Sequence, residues 1–156
     1  MQDTSTELYE RDFVAWTRAQ VRALRRLARS RPNAHLDFGH LIEEIGDLGK
    51  GERDTVRSHV RTIIEHCLKL QHSAAADPRA GWMSTIGRTR TALEDKLSRS
   101  LRRDLRAQLP RLYLQARRDT ARELALFGEP EAAAALPESC PFRLDELLSH
   151  DWYPSR

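Results

Sequence analysis

Residues 38–72 read FGHLIEEIGDLGKGERDTVRSHVRTIIEHCLKLQH, and this stretch decides the fold. Phe38, Leu41, Ile42, Ile45 and Leu48 recur at three- and four-residue steps, and after an interruption Val56, Val60, Ile63, Ile64, Cys67 and Leu68 take up the same step. Side chains so spaced share one face of an α-helix, so both halves read as amphipathic helix. Between them stand Gly46, Gly49 and Gly51. Each glycine costs a helix interior about 1 kcal/mol relative to Ala, which predicts a kink, a break or a tight helix contact at this point. We read residues 38–72 as one long helix weakened near 49–51, with two separate helices as the alternative. Asp37 is its natural cap.

Upstream, Tyr9, Phe13, Trp16, Leu24 and Leu27 keep helical spacing, with Gln20 filling the gap, and define a first amphipathic helix. Thr4 and Glu7 offer a capping box at its start. Arg31-Pro32-Asn33 marks its end, because Pro disfavours helical geometry at the residue before it. Downstream, 73–79 is a small-residue linker ending in Asp77-Pro78, where Asp can cap and Pro can enter the first turn. Trp82, Ile86, Thr89, Leu93 and Leu97 define a third helix. Ser98 and Ser100 offer a new cap, and Leu101, Leu105, Leu109, Leu112, Ala116, Leu124 and Phe127 carry a fourth helix, kinked at Pro110, to the closing Gly128-Glu129-Pro130. In the tail, 131–136 reads as a helical turn, 137–141 as extended chain and 143–149 as a last short helix. The tail aromatics Phe142, Trp152 and Tyr153 would be an association liability if free, so the tail is expected to dock. The expected architecture is all-α. It is a single helical domain over 1–156, with four main helices and a long second helix in a bundle over 7–127, and a docked C-terminal segment over 128–156.

The 156 residues, 40% apolar and 31% charged, suit one domain with its own core. No run of about 18 apolar residues occurs, so no membrane-spanning helix is expected. The polar N-terminus MQDTSTELYERD lacks the apolar stretch of a secretory signal, and a cytoplasmic location is the expectation. Cys67 and Cys140 are the only cysteines and make no metal-ligand spacing, which rules out a disulfide framework or a zinc ribbon. The net charge of +3 is unevenly spread: 35–52 sums to −4 and 53–111 to +7.

Four stretches, LYERDFVAWTRAQ at 8–20, LIEEIGDLGKGER at 41–53, HCLKLQ at 66–71 and CPFRLDELLSHDWYP at 140–154, together resemble a bacterial family, frequent in cyanobacteria, known as domain of unknown function twenty-nine. The resemblance covers nearly the whole chain. It implies an all-helical bundle with a long second helix, and it brings no activity, substrate or cofactor. The family's recurrent positions map onto Tyr9, Phe13, Trp16, Leu41, Glu43, Glu44, Leu48, His66, Lys69 and Pro141. The chain departs from the family pattern at Leu70, where an aromatic is expected, and in the alanine-rich extra length at 131–136.

The sharpest polar group is Glu43-Glu44-Ile45-Gly46-Asp47, in which Glu44 and Asp47 share one helix face. Two carboxylates so placed can hold a hard cation. The string also resembles part of the all-helical nucleotide pyrophosphohydrolases, where magnesium sits between carboxylates of two neighbouring helices and water attacks a phosphoryl group. Glu94-Asp95 is the only comparable pair before the tail, and most acidic pairs on helices are simply solvated. His66 is the best single working side chain. It would serve as general base or ligand only with Glu44 or Asp47 within hydrogen-bond reach, and among Ile63, Cys67 and Leu70 it reads first as a packed histidine. Cys67 reads as buried and inert. Arg57, Arg61, Arg88, Arg90, Arg99, Arg102, Arg103 and Arg106 could form a basic face for nucleic acid, although no helix-turn-helix signature accompanies them.

These features order three readings. The leading one is a non-enzymatic protein-interaction domain, an adaptor or inhibitor that binds a protein partner through a helix face or the aromatic tail. The second is a magnesium- or manganese-dependent phosphohydrolase acting on nucleotides through Glu43, Glu44, Asp47 and His66, with Glu44 and Asp47 as metal ligands. The third is nonspecific nucleic-acid binding through the arginines above. The sequence requires no cofactor.

Overall fold

A helix starts where a side chain can accept the free N–H groups of its first turn, and the first two helices are set by two such residues. In the computed structural model, which describes residues 4–31 and 34–156, Thr4 and Glu7 form a reciprocal capping box at the head of α1 (Ser5–Arg11). Asp12 then leaves helical geometry, and its Oδ1 accepts from Ala15 N–H at 3.0 Å to start α2 (Phe13–Ser30). The single first helix expected from the sequence is therefore two. The aromatic spacing survives the break, because Asp12 N–H still donates to Leu8 and Trp16 N–H to Asp12. Arg31 caps the end of α2, while Pro32 and Asn33, expected to mark that end, lie outside the described residues.

Helix α3 (Phe38–His72) is one unbroken run of 35 residues, headed by Asp37, whose carboxylate accepts from His40 N–H. Then come α4 (Arg79–Glu94), α5 (Arg99–Leu126), α6 (Pro130–Ala134) and α7 (Leu144–Leu148). Asp77 does not cap α4: Pro78 occupies the cap position with helical backbone angles and no side-chain bond. Ser98 Oγ accepts from Leu101 N–H at the head of α5, and that helix runs through Pro110 without interruption. Gly128, at φ +81°, takes the left-handed conformation that ends α5, so that Glu129 N–H reaches back to Leu124 carbonyl at 2.8 Å. The chain is all-α, with no strand among the described residues, and no helix among them is long and apolar enough to cross a membrane.

Contacts between residues divide the chain into two compact units. The first runs to Thr55 and adds 98–103. In it Tyr9, Phe13 and Trp16 form an edge-on and stacked aromatic trio with centroids 4.9–5.8 Å apart. Ser5 Oγ accepts from both Trp16 Nε1 and Gln20 Nε2, tying α1 to α2. Buried Asp12 also accepts from Ser100 N–H at 2.9 Å. Burial pushes its carboxyl up, but the hydrogen bonds from Ala15 and Ser100 outweigh this and hold it below the usual carboxylate range. Helices α2 and α3 meet at Thr17 and Gly49, where an added β-carbon would run into the Thr17 hydroxyl. That contact explains one of the three glycines: a bare backbone is what lets α2 approach there.

The second unit comprises 56–97 and 104–156. Its core is Val56, Val60, Ile63, Ile64, Cys67 and Leu68 of α3 against Ile86, Leu93, Leu105, Tyr113 and Leu147, each at most 1% exposed. The C-terminal segment is docked into this unit by side chains reaching its backbone. Tyr113 hydroxyl and Arg117 Nε both donate to the Pro137 carbonyl, at 2.5 and 2.8 Å. Fully buried Arg90 donates from Nε to the Leu147 carbonyl at 2.8 Å, and its guanidinium lies 5.1 Å from the Tyr153 ring centroid. Phe142 and Trp152 pack edge to face at 5.8 Å.

Candidate functional site

Glu43, Glu44 and Asp47 lie on the first half of α3 and are all exposed. They belong to the first compact unit, and His66 to the second. Among the described residues no group of three or more His, Cys, Asp or Glu side chains converges closely enough to hold a metal ion. The histidine is half-buried and its Nδ1–H donates to the Thr62 carbonyl at 2.9 Å. Burial lowers its pKa, so it is a neutral, satisfied ring at pH 7. Cys67 is wholly buried, and burial pushes its thiol up to about 12, which makes it inert.

Around the C-terminal end of α3 the second unit holds a cavity of about 300 Å³, lined by Lys69, Ser73, Trp82, Glu123, Phe127 and Glu129 among others. Lys69 is drawn into the apolar wall and held by Glu123 at 2.6 Å, with its ammonium 6.0 Å from the Trp82 ring. Glu129 accepts from Ser73 hydroxyl at 2.6 Å and from Ala74 N–H at 2.7 Å, and those bonds hold its carboxyl below its usual range. Every charged group in this wall is therefore paired within the protein. The cavity offers shape and apolar surface, with no free acid or base aimed into it.

Three of the eight arginines expected to form a basic face are held by groups of the protein itself. Arg57 is clamped by Asp104 through two hydrogen bonds of 2.8 and 2.6 Å, Arg61 pairs with Glu65 at 3.4 Å, and Arg90 is the buried tail anchor. Arg88 is exposed on α4. Arg99, Arg102 and Arg103 are exposed in the first unit, and Arg106, also exposed, lies 3.9 Å from Asp145 in the second.

Sequence reasoning missed a second basic site. Arg18, Arg22 and Arg25 of α2, with Arg53 of α3, line an open cleft of about 270 Å³ whose other walls are Thr17, Val21 and Gly46. The signal was present: positions 18, 22, 25 and 29 are all Arg and step by four, three and four. It also missed that two leucines of the apolar stripe in the first half of α3 are exposed, while Phe38, Ile42 and Ile45 beside them are half-buried. Leu41 and Leu48 are 37% and 56% exposed, whereas Val56, Val60 and Ile63 farther along the same stripe are fully buried.

The family model for Domain of unknown function DUF29 matches residues 8–153. A crystal structure described as an alpha-helical protein of unknown function from Rhodospirillum rubrum superposes with a TM-score of 0.81 at 26% identity, over 97% of this chain and 93% of that one. No curated protein matches the chain. The all-helical architecture and the match along almost its whole length agree, and the chain belongs to the DUF29 family.

Proposed function

We propose that the chain is a non-enzymatic protein-interaction domain, an adaptor or inhibitor, that docks the apolar face of a partner's helix on α3. The observation that carries this reading is the pair of leucines one heptad apart in the first half of α3, Leu41 and Leu48, which stand 37% and 56% exposed. Leu27 of α2 and Tyr9 of α1, at 37% and 45%, add exposed apolar surface to the same unit. Apolar side chains repeated at one helical step and left in water cost solubility, and a partner helix inserting its own stripe would remove them from it. The aromatic tail is a poorer docking element, because Phe142, Leu144 and Leu147 are buried and Tyr153 is stacked on Arg90. The catalytic reading has less behind it, since Nδ1 of His66 is engaged by the Thr62 carbonyl rather than by a carboxylate.

The test is quantitative affinity enrichment of the tagged chain from its own cells, comparing the native sequence with a Leu41→Glu, Leu48→Glu double variant. Both changes fall on exposed helix positions, where substitutions shift stability by about 0.5 kcal/mol or less, so the fold is retained. The reading expects a partner in stoichiometric amount with the native chain and its loss from the variant. Equal recovery of the same proteins by both chains contradicts it.

A further inference from the structure

We infer that the cleft between α2 and the first half of α3 binds a compact phosphate-bearing anion of one or two phosphoryl groups. Arg18, Arg22 and Arg25 come from successive turns of α2 and Arg53 from α3, so guanidinium groups of two helices surround one opening of about 270 Å³. No residue lining it is acidic. None of the four guanidinium groups makes a hydrogen bond or ion pair with any described residue, in contrast to Arg57 on Asp104 or Arg117 on the Pro137 carbonyl. Four like charges around one small space repel one another, and a multiply charged oxyanion would relieve all four repulsions at once. Planar guanidinium forks match phosphoryl oxygens two at a time, which gives such a site geometry as well as charge.

Gly46 is the second observation. Glycine here costs the middle of α3 about 1 kcal/mol relative to Ala, yet a β-carbon at Gly46 would meet nothing within 4 Å. Unlike Gly49, it answers no packing demand. Its missing side chain keeps one wall of the cleft bare backbone, leaving room for an anion between the arginines. The anion is a compact one because exposed Glu43 and Asp47 flank Gly46 on α3. A nucleic-acid backbone laid along these helices would run over both carboxylates, whereas a small anion inside the cleft meets the arginines.

The probe is inorganic pyrophosphate, titrated by calorimetry into the full chain near physiological ionic strength, with amide chemical shifts followed in parallel. Saturable one-site binding with submillimolar Kd is expected, with shifts centred on residues 18–25, 46 and 53. Gly46→Glu sets a carboxylate into the cleft at a position open enough to take it, and should weaken binding at least tenfold without lowering Tm. Arg22→Gln with Arg53→Gln should do the same by removing charge from both walls. Absence of saturation at 10 mM pyrophosphate overturns the proposal, as does undiminished affinity in Gly46→Glu. Duplex DNA binding that Gly46→Glu leaves unchanged, with pyrophosphate inert, also overturns it and assigns the arginines to a nonspecific polyanion surface. The site uses none of the leucines of the docking face, so either proposal can fail alone.

Discussion

Replacing Gly49 by Ala separates two opposing effects that the structure assigns to different glycines of one helix. In an open helix interior the change should stabilise by about 0.5–1 kcal/mol, because Ala loses less backbone freedom on folding. Gly46 is such a position, with nothing within 4 Å of an added β-carbon. At Gly49 the methyl overlaps the Thr17 hydroxyl and also approaches Thr17 Cβ to 3.2 Å and Cγ2 to 3.5 Å. Thr17 cannot turn aside cheaply. It is 2% exposed, its β-branched side chain is restricted in a helix, and its hydroxyl donates to the Val14 carbonyl at 2.9 Å. Relief requires α2 and α3 to separate, and overpacking of this kind costs about 1–3 kcal/mol. Gly49→Ala should therefore be net destabilising, and should fall about 2 kcal/mol below Gly46→Ala, a Tm gap of about 4–8 °C for a chain of this size. Thr17→Ala placed on top of Gly49→Ala removes the hydroxyl and methyl in the way and should recover most of the loss. The assay is thermal and urea unfolding of the four proteins side by side. Equal stabilisation by Gly49→Ala and Gly46→Ala would refute the close approach of α2 to α3.

Asp12→Ala should cost about 2–3 kcal/mol in urea unfolding, since it removes the α2 cap and strands the Ser100 N–H. The folded pKa of Asp12 is depressed, so its contribution is full above the unfolded value of 3.8 and is lost as pH falls through the lower folded value; Asp12→Ala should flatten that acid limb, and an unchanged limb would speak against the assignment. His66 is also depressed, by burial, so protonation favours the unfolded chain and stability should fall as pH drops below the ordinary 6.5, with His66→Gln removing that component; a slope identical in both proteins would contradict it. A thiol reagent at pH 8 should modify half-buried Cys140 in the native protein and Cys67 only on unfolding; two native-state thiols reacting at similar rates would show that Cys67 is not sealed.

The long helix was legible because the apolar step before Gly46, Gly49 and Gly51 resumes after them, although those glycines left two helices open as the alternative. Asp12 was not, since a one-residue break leaves Tyr9, Phe13 and Trp16 at their helical intervals while the cap depends on a carboxylate finding Ala15 and Ser100. The tail's aromatics announced docking, but Arg90, which fastens it, read as one more surface arginine; its burial depends on Leu147 and Tyr153, distant in sequence. The acidic group at 43–47 drew notice because carboxylates cluster in sequence, yet holding a metal requires convergence in space, and among the described residues no three His, Cys, Asp or Glu side chains converge. The arginines of α2 carried a readable spacing. Their placement around a cleft with Arg53 required knowing how α2 and α3 pair, which Gly49 and Thr17 decide. Which residues of the α3 stripe stay exposed was likewise invisible, because an exposed Leu48 and a buried Val56 look alike in a periodic pattern.

The most direct measurement is native mass spectrometry of the full chain purified at low salt from its own cells, beside the Leu41→Glu, Leu48→Glu variant. The docking account predicts a species heavier than 18.0 kDa by the mass of a distinct protein in fixed stoichiometry, absent from the variant. A bare chain, a simple multiple of it, or a complex that survives both substitutions would contradict the account.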